Sequence, residues 1–424
     1  MPAPVRFPRL ADWLEWQQSA HPSAIELGLG RVSRVLARTG WRRPAGPVIT
    51  VGGTNGKGSS VALLEAMLRA GGYRVGTFTS PHLIDYRERI RLDGRWISEA
   101  SLLAAFERIA DARGPDSLTF FEFNALAALL VFETWSPDVI VLEVGMGGRL
   151  DAVNVVDADV AVVVSVGLDH MEWLGPDVES IAREKAGIFR PGRPAVCGMP
   201  QPPRSLVEAA DGLGAPLRLR GRDFDLRHRD DGTWDYVDAR GRLERLPPPA
   251  LEGVAQAGNA ATAIAALREL ADRLPLAQPE IGRGLREVRL PGRFERTTGS
   301  DGIEWVLDVA HNPDAAAVLA ASLAGHPVRG RTIAVCGMLA DKDVAGVLAP
   351  LRACVDQWFA ATTAGARGLR DEELVRRGSA AGVAMCAAGT VPEAVRRAAA
   401  AARAGDRVVV FGSFLTVGPA LACV

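Results

Sequence analysis

Apolar β-branched runs alternate with segments of helical periodicity along the first half of the chain. Residues 47–72, PVITVGGTNGKGSSVALLEAMLRAGG, predict a strand, a glycine-rich loop and an amphipathic helix. The runs DVIVLEVGMGG and DADVAVVVSVG are typical of strands buried on both faces of a parallel sheet. The segments SEASLLAAFERIADA and FNALAALLVFETW predict helices. Strands that alternate with helices predict a doubly wound α/β domain.

The pattern changes at about residue 215 and again near residue 290. The segment TWDYVDARGRLERL predicts an antiparallel hairpin at the edge of the sheet, and GNAATAIAALRELAD predicts a helix. The basic, Pro/Gly-punctuated stretch REVRLPGRFER is interpreted as an interdomain hinge. A second strand–helix series follows, through IEWVLDVA, RTIAVCGM, QWFAATT, VAMCA and RVVVFGS. We therefore predict a nucleotide-binding domain over residues 1–290 and a smaller Rossmann-like domain over residues 296–424.

Length, charge and cysteine usage exclude several classes of protein. At 424 residues the chain exceeds one ordinary core, which agrees with two domains. A net charge of −1 provides no overall field that would attract nucleic acid or a membrane surface. The five cysteines are scattered, and no stretch approaches the ~18 apolar residues of a membrane span. We expect a cytoplasmic protein with neither nucleic acid nor membrane as partner, and we expect a monomer.

Lysine is nearly absent from the chain. Only Lys57, Lys185 and Lys342 are lysines among 49 basic residues, so arginine stands at almost every position where either cation would serve. We interpret these lysines as positions where a guanidinium cannot replace an ammonium group. Chance survival is the alternative for any one of them.

The glycine-rich loop has the strand–loop–helix context of a phosphate-binding loop. Its glycines let backbone N–H groups converge on phosphate oxygens, and Lys57 can reach the β- and γ-phosphates. The lysine is followed by Gly58, where the common pattern has Ser or Thr, so the usual magnesium-binding hydroxyl is absent or displaced to Ser59. The predicted nucleotide-contacting residues of the loop are Thr54, Asn55, Gly56, Lys57, Gly58 and Ser59.

Several longer motifs occur in a fixed order around this loop. They are VGGTNGKGSS, TSPHL, VLEVGMGGRLDAVN, GLDHMEWLG and REKAGI, followed by PGRFE, DVAHNP, GMLADKD and VVVFGSFLTVG. In order and spacing they resemble those of the folylpolyglutamate synthase/dihydrofolate synthase family of the Mur ligase superfamily, and the resemblance covers nearly the whole chain. One difference is Val153, where the family usually has Thr or another small residue.

The resemblance implies a reaction. ATP would activate a carboxylate as an acyl phosphate, which the amino group of L-glutamate then attacks, with ATP as co-substrate and Mg²⁺ at two sites. The acceptor would be dihydropteroate, a reduced folate or both. The implied catalytic residues are Lys57, His170 and Lys185.

The resemblance also implies the metal ligands. Ser80 would supply the hydroxyl that the loop lacks, Glu143 would be a shared carboxylate, and His170 would bind a second magnesium ion. The lysine that matches Lys185 is carbamylated in the family, and its carbamate would help to hold that second ion. Taken singly, His170 could be an ordinary polar loop residue, and Lys185 could pair with a glutamate such as Glu184.

Nucleotide contacts beyond the loop are implied at Asn259, Arg293, Asp308 and His311. In the family the nucleotide lies in the cleft between the domains. Asn259 suits adenine edges, Arg293 suits phosphate charge and Asp308 suits ribose hydroxyls. The alternative for Asp308 is that it caps the helix that starts near Pro313.

Three segments are implied on the side of the pterin acceptor. An aromatic pair beside a carboxylate suits a flat, hydrogen-bonding pterin, although Phe120 and Phe121 could equally belong to the core. The implied residues are Glu26, Leu27, Gly28, Leu29, Thr119, Phe120, Phe121, Glu122, Leu150, Asp151 and Ala152.

Two other functions compete with this one. A Mur-type ligase acting on another carboxylate remains the alternative, but a peptidoglycan-type enzyme would carry a UDP-sugar-binding domain before the phosphate loop. Only about 50 residues precede Gly53, too few for such a domain. A nucleotide switch without ligase activity would have no use for the second domain or for GLDHMEWLG and REKAGI.

Overall fold

The computed structural model describes residues 5–424, which form two compact units. The larger unit comprises the chain up to Pro81 together with Tyr86–Pro248 and Gly258–Val288. The smaller unit comprises His82–Asp85, Pro249–Ala257 and Arg289–Val424. Within residues 5–424, no helix has the length and apolar content needed to cross a bilayer.

The larger unit contains an eight-stranded sheet. Its strands are β1 (Val48–Gly52), β2 (Val75–Phe78), β3 (Ile90–Leu92), β4 (Arg95–Trp96), β5 (Val139–Glu143), β6 (Val160–Val163), β7 (Ala195–Cys197) and β8 (Leu217–Leu219). They lie in the order β4-β3-β2-β5-β1-β6-β7-β8, parallel from β2 to β8, with β3 and β4 added as an antiparallel hairpin. Every residue of β1, β2, β5 and β6 is buried, as expected for β-branched strands that are covered on both faces.

Ten helices lie within residues 5–288. They are α1 (Leu10–Ser19), α2 (Gly30–Arg38), α3 (Lys57–Ala70), α4 (Glu99–Arg113), α5 (Phe120–Trp135), α6 (Met171–Leu174), α7 (Val178–Ala186), α8 (Arg204–Leu213), α9 (Gln256–Arg268) and α10 (Gln278–Glu287), with 3-10 turns at Tyr86–Arg89 and Ala152–Val155. The helix α5 begins at a capping box, in which the Thr119 hydroxyl accepts from the Glu122 N–H at 3.2 Å and Glu122 accepts from the Thr119 N–H at 2.8 Å. The sequence correctly predicted α3, α4, α5 and α9.

The predicted hairpin is present, but its predicted place was wrong. The strands β9 (Phe224–His228), β10 (Trp234–Asp238) and β11 (Gly241–Leu246) form a separate antiparallel sheet. The main sheet ends at β8, because the Asp223 carboxylate accepts the Leu219 N–H at 2.8 Å and the chain then turns at Gly221, whose φ is +80°. This turn directs β9 away from β8 as the start of a new sheet.

The smaller unit contains a six-stranded sheet. Its strands are β12 (Glu295–Thr298), β13 (Glu304–Asp308), β14 (Thr332–Cys336), β15 (Gln357–Thr362), β16 (Cys386–Thr390) and β17 (Arg407–Phe411), in the order β12-β13-β17-β14-β15-β16. Its helices are α11 (Pro313–Gly325), α12 (Val344–Leu348), α13 (Asp371–Ala380), α14 (Val391–Ala401) and α15 (Phe414–Leu421), with a 3-10 turn at Ala349–Leu351. Five parallel strands confirm the Rossmann-like prediction. The antiparallel strand β12 was missed: it begins at Glu295, inside the stretch that was interpreted as a hinge.

Candidate active site

The strand β1 leads into the phosphate loop at the carboxyl edge of the larger sheet. Gly53 and Gly56 have φ values of +151° and +83°. The loop is held by the segment after β6: the Thr54 N–H donates to the Ser165 carbonyl at 2.8 Å, and the Asn55 N–H donates to the Ser165 hydroxyl at 2.9 Å. Hydrogen bonds between two adjacent strand ends therefore fix the shape of the loop.

Gly56 is required by its conformation and by its neighbours. A Cβ at this position would lie 2.8 Å from Val164 Cγ1 and 2.9 Å from Asn259 Oδ1, and its positive φ is unfavourable for other residues. The same distances place the Asn259 amide beside the loop. Asn259 was predicted to contact the nucleotide, and the fold brings it to the phosphate loop from about 200 residues away in sequence.

Lys57 is the first residue of α3. Its Nζ donates to the Gly53 carbonyl at 3.1 Å and to the Thr54 carbonyl at 3.2 Å, so the ammonium group lies over the loop. Ser59, in the same first turn, is buried. A positive charge and the N-terminus of a helix thus meet where phosphate oxygens would bind.

Ser80 and Glu143 meet at the ends of neighbouring strands. The strands β2 and β5 pair in parallel, with Phe78 opposite Leu142, so both end at the same edge. The Ser80 N–H donates to Glu143 Oε2 at 3.0 Å. A hydroxyl-bearing residue and a carboxylate are hard oxygen donors, which fit a magnesium ion. Within residues 5–424, no group of three or more His, Cys, Asp or Glu side chains is arranged to hold a metal.

His170 lies in a short loop that begins α6. Its backbone is left-handed, with a φ of +52°, and its N–H donates to Asp169 Oδ1 at 2.9 Å. About a third of the side chain is exposed, at 32%. The sequence could not predict how far His170 lies from Ser80 or Glu143. The ligand role of His170 stays a prediction.

Lys185 is buried on α7, with 3% of the residue exposed. Its pKa is lowered to about 7, chiefly by burial and also by the positive charge of Lys57, while Asp169 and Asp151 oppose the shift. Glu184, the partner named in the salt-bridge alternative, pairs instead with Arg149, whose Nη2 lies 2.8 Å from Glu184 Oε1. That assignment of Glu184 was therefore wrong, because its side chain points to the RLDAVN loop.

The three segments predicted on the acceptor side are joined by hydrogen bonds. The Gly28 N–H donates to the Leu150 carbonyl at 3.3 Å. Arg31, which the sequence analysis did not single out, donates from Nη2 to Glu122 Oε1 at 2.9 Å and to the Glu26 carbonyl at 3.0 Å. The structure therefore brings the segments at residues 26–29, 119–122 and 150–152 together.

The two phenylalanines at the start of α5 are half-buried. Phe121 lies under the glycine loop that follows β5, since a Cβ at Gly145 would be 2.5 Å from its ring. The Phe120 ring lies 5.9 Å from the Tyr86 ring and 5.4 Å from the Arg89 guanidinium. Both rings pack against the core on one side. This agrees in part with the alternative that Phe120 and Phe121 belong to the core.

Asp151 holds the RLDAVN loop in shape. Its carboxylate accepts the Met146 N–H at 2.9 Å and the Val153 N–H at 3.1 Å. Burial raises the pKa of Asp151 to about 7, while these backbone donors and the charge of Lys57 act in the opposite direction. Val153, the residue that differs from the usual family pattern, is buried in the core, so its side chain has a packing role.

In the smaller unit, Asp308 lies at the carboxyl end of β13. It accepts the N–H groups of Phe294 and Ala310, each at 2.8 Å. Burial raises its pKa, and the charge of Arg293 opposes the shift. The helix-cap alternative for Asp308 was wrong, because Asn312 caps α11 by accepting the Ala315 N–H at 2.9 Å.

Arg293 and His311 share an aromatic neighbour in this unit. The Arg293 guanidinium lies 5.0 Å from the centre of the Phe414 ring, and the His311 ring lies 6.5 Å from it. Phe414 was not singled out, although it belongs to the quoted motif VVVFGSFLTVG. The three predicted residues of this unit, Arg293, Asp308 and His311, thus form one cluster at the end of β13.

Two family models match the chain: the Mur ligase middle domain over residues 51–198 and the Mur ligase glutamate ligase domain over residues 292–414. The chain is also 46% identical over 409 residues to the dihydrofolate synthase/folylpolyglutamate synthase of Escherichia coli strain K12. The alignment covers 96% of this chain and 94% of that relative. The chain belongs to the dihydrofolate synthase/folylpolyglutamate synthase family. The resemblance drawn from the motifs is confirmed.

Solved structures of this dihydrofolate synthase/folylpolyglutamate synthase family are closely similar. Escherichia coli FolC in complex with DHPP and ADP matches with a TM-score of 0.92 and 45% identity, covering 99% of this chain and 97% of that one. A bifunctional folylpolyglutamate synthase/dihydrofolate synthase with Mn, AMPPNP and L-glutamate bound matches with a TM-score of 0.89 and 43% identity, covering 99% and 98%. The predicted fold class, a doubly wound α/β domain followed by a smaller Rossmann-like domain, is confirmed.

Proposed function

We propose that this chain uses ATP to join L-glutamate to the carboxylate of a pterin-containing acceptor through an acyl phosphate. The observation that carries the proposal is the grouping of the phosphate loop, the Ser80–Glu143 pair and buried Lys185 on one unit. The positive charge of Lys57 contributes to the lowered pKa of Lys185, which supports including Lys185 in this group. The names and ligands of the similar proteins, which include ADP, DHPP, AMPPNP and L-glutamate, support it.

The proposed reaction depends on positioning and charge neutralisation. The loop N–H groups and Lys57 hold the phosphates while the acceptor carboxylate attacks the γ-phosphorus and ADP leaves. The amino group of glutamate then attacks the acyl carbon, and phosphate leaves. Arg293 and Asp308 are proposed to contact phosphate and ribose, as the family resemblance implies.

Two magnesium ions are proposed, with Ser80 and Glu143 at the first site and Glu143, His170 and Lys185 at the second. The hydrogen bond of 3.0 Å between Ser80 and Glu143 supports the first ligand pair. When bound, magnesium would supply positive charge to the phosphate oxygens. A manganese-containing relative supports a divalent metal.

Lys185 is proposed to carry a carbamate. Its pKa of about 7 leaves a large fraction of neutral amine near neutral pH, whereas an arginine in this place would stay protonated. The nitrogen of the neutral amine would add to the carbon of CO₂ and release one proton, which gives a carbamate anion that suits a hard metal. Mass spectrometry of the intact protein under CO₂, or ¹³C NMR with labelled bicarbonate, would detect the adduct.

Both dihydropteroate and a reduced folate are proposed as acceptors, since the similar proteins are named for both activities. A Mur-type ligase for another carboxylate is the competing function. We further propose a monomer that acts in the cytoplasm, a compartment that suits its five free cysteines.

The test is an assay of the purified chain with ATP, magnesium, L-glutamate and each acceptor in turn. We expect phosphate release that requires both the acceptor and glutamate, and a product heavier than the acceptor by one glutamyl residue. Slow ATP hydrolysis that neither compound stimulates would indicate a nucleotide switch. Glutamate-dependent turnover with neither pterin acceptor would indicate the competing ligase.

A further inference from the structure

Arg31 is a charged side chain to which the proposed mechanism gives no role. It lies in the first turn of α2, directly after the segment at residues 26–29. One nitrogen of its guanidinium reaches the Glu122 carboxylate and the Glu26 carbonyl, and the other reaches the Glu26 carboxylate. Only 17% of the side chain is exposed.

The Glu122 end of this contact is rigid. The side chain of Glu122 is 5% exposed, and its second oxygen accepts the Thr119 N–H at 2.8 Å as part of the capping box of α5. A carboxylate that is buried and tied to the start of α5 through its second oxygen cannot move far to follow Arg31. Arg31 therefore fixes the position of the loop at residues 26–29 relative to the start of α5.

The loop is also held on its far side, where Gly28 bonds to Leu150. This bond of 3.3 Å is a single backbone contact, while Arg31 makes three contacts to two residues. A guanidinium can serve a carbonyl and two carboxylates at once because its donors form a planar fork, and an ammonium group cannot match that geometry. Arg31 thus supplies the side-chain hydrogen bonds that join the segment at residues 26–29 to the start of α5.

Arg34, one turn further along α2, shows what an ordinary surface ion pair looks like here. Its Nη2 lies 2.5 Å from Asp116 Oδ1, but 57% of its side chain is exposed and its partner belongs to none of the three segments. Such a pair contributes little to stability in water. The two arginines differ in burial and in partners, although both make short contacts to a carboxylate.

We propose that Arg31 is a positioning residue that determines affinity for the acceptor. It acts through Glu26 and Glu122, by holding the loop at residues 26–29 against the N-terminus of α5, so that the surface offered to the flat acceptor is preformed. This inference rests on the proposed function, since it assumes that the acceptor binds at these segments.

The test compares steady-state kinetics of Arg31→Gln, Arg31→Lys and the matched control Arg34→Gln. For Arg31→Gln we expect the KM for dihydropteroate to rise about tenfold or more, with kcat within about threefold and the KM values for ATP and L-glutamate within about twofold of the wild type. Arg31→Lys should show a smaller rise of the same kind, and Arg34→Gln should match the wild type. Melting temperatures are measured in parallel, because a merely structural role would lower stability without selecting one KM.

Unchanged acceptor KM in Arg31→Gln, or an equal rise in all three KM values, would overturn the role of Arg31. If Arg31→Gln does not fold, Glu26→Ala decides, since Glu26 is half-exposed and truncation of its side chain removes one of the three contacts. An acceptor KM raised about threefold supports the inference, and an unchanged one refutes it. Absence of any wild-type ligation with dihydropteroate would refute the proposed function itself, which is a separate result.

Discussion

The phosphate-loop edge and the acceptor-side segments are built in different ways. At the phosphate loop, the shape is defined by the backbone and by small uncharged side chains: two positive-φ glycines, and hydrogen bonds to the segment after β6 that involve the hydroxyls of Thr54 and Ser165. On the acceptor side the shape depends on charged side chains, chiefly Arg31, Glu122 and Asp151.

This difference separates two kinds of sensitivity. Where the backbone and small hydroxyl side chains define the shape of a site, its few functional side chains are free to act on substrate. Loss of one of these functional side chains should therefore lower turnover. A site held by side chains can shift when one contact is removed, so its loss should affect affinity and stability first. The following substitutions test that division.

Lys57→Ala should have the largest effect. Removal of the ammonium group over the loop takes away charge stabilisation of the transferred phosphoryl group, so kcat should fall by at least about 10³-fold. The melting temperature should change little, because the loop keeps its backbone hydrogen bonds. Arg69→Ala, at the other end of α3, is the control and should keep wild-type turnover. A Lys57→Ala enzyme with normal turnover would show that the loop is not the nucleotide site.

Lys185→Arg should lower turnover by about 10- to 100-fold, the range seen for supporting residues of metal sites. The charge is kept, but a guanidinium cannot form the proposed carbamate. Lys185→Ala should regain part of its activity when short carboxylates are added. The reverse exchange on the same helix, Arg183→Lys, is the matched control. It should leave turnover unchanged because Arg183 is exposed. Wild-type turnover by Lys185→Arg would remove the carbamate from the mechanism.

Asp151→Asn tests the acceptor side through pH. Burial raises the pKa of Asp151 from 3.8 to about 7 in the folded chain. A raised pKa means that the protonated form of Asp151 stabilises the fold. This stabilisation is fully present below the pKa of the unfolded chain, 3.8, and is lost as the pH rises through about 7. The stability loss caused by Asp151→Asn should therefore shrink by about 1–3 kcal/mol between pH 5 and pH 8, measured by urea denaturation. A difference that does not vary with pH would mean that the backbone donors keep the carboxylate ionised.

Thr119→Ala should have the smallest effect. Loss of the hydroxyl that accepts the Glu122 N–H should lower the free energy of unfolding by about 1 kcal/mol. Thr390→Ala, at the start of α14, removes a hydroxyl that donates to Glu393 Oε2 at 2.7 Å, and it should cost about the same. Only Thr119→Ala should also raise the acceptor KM. Equal kinetic behaviour of the two variants would contradict the link between this cap and the acceptor.

The same division explains what could be predicted from the sequence. The phosphate loop follows from a local pattern, because a glycine loop between a strand and a helix has recognisable spacing, whereas Ser80 and Glu143 were implied by the family resemblance. The contact between Arg31 and Glu122 joins residues 91 positions apart, and nothing in the local spacing of either residue indicates the other.

The errors in the fold have a similar cause. The hairpin of β10 and β11 was recognised from its alternation, but which sheet it joins depends on the turn at Gly221 and the side chain of Asp223. The short edge strand β12 was missed because PGRFER has the composition of a linker, and its pairing partner, β13, makes it a strand.

The smaller unit is built from separate segments of the chain, which limits how it can be exchanged between relatives. Besides the chain after Val288, it contains four residues from the first quarter of the sequence, His82–Asp85, and a second stretch, Pro249–Ala257. The carbonyl of Leu83 lies 2.2 Å from the place of a Cβ at Gly418, and the Val254 N–H donates to the Ser322 hydroxyl at 3.2 Å. A chimera that exchanges only the chain after Val288 would combine these two stretches with an unmatched partner. Exchange of this unit between relatives therefore requires that three separate segments of the chain be replaced together, across five junctions.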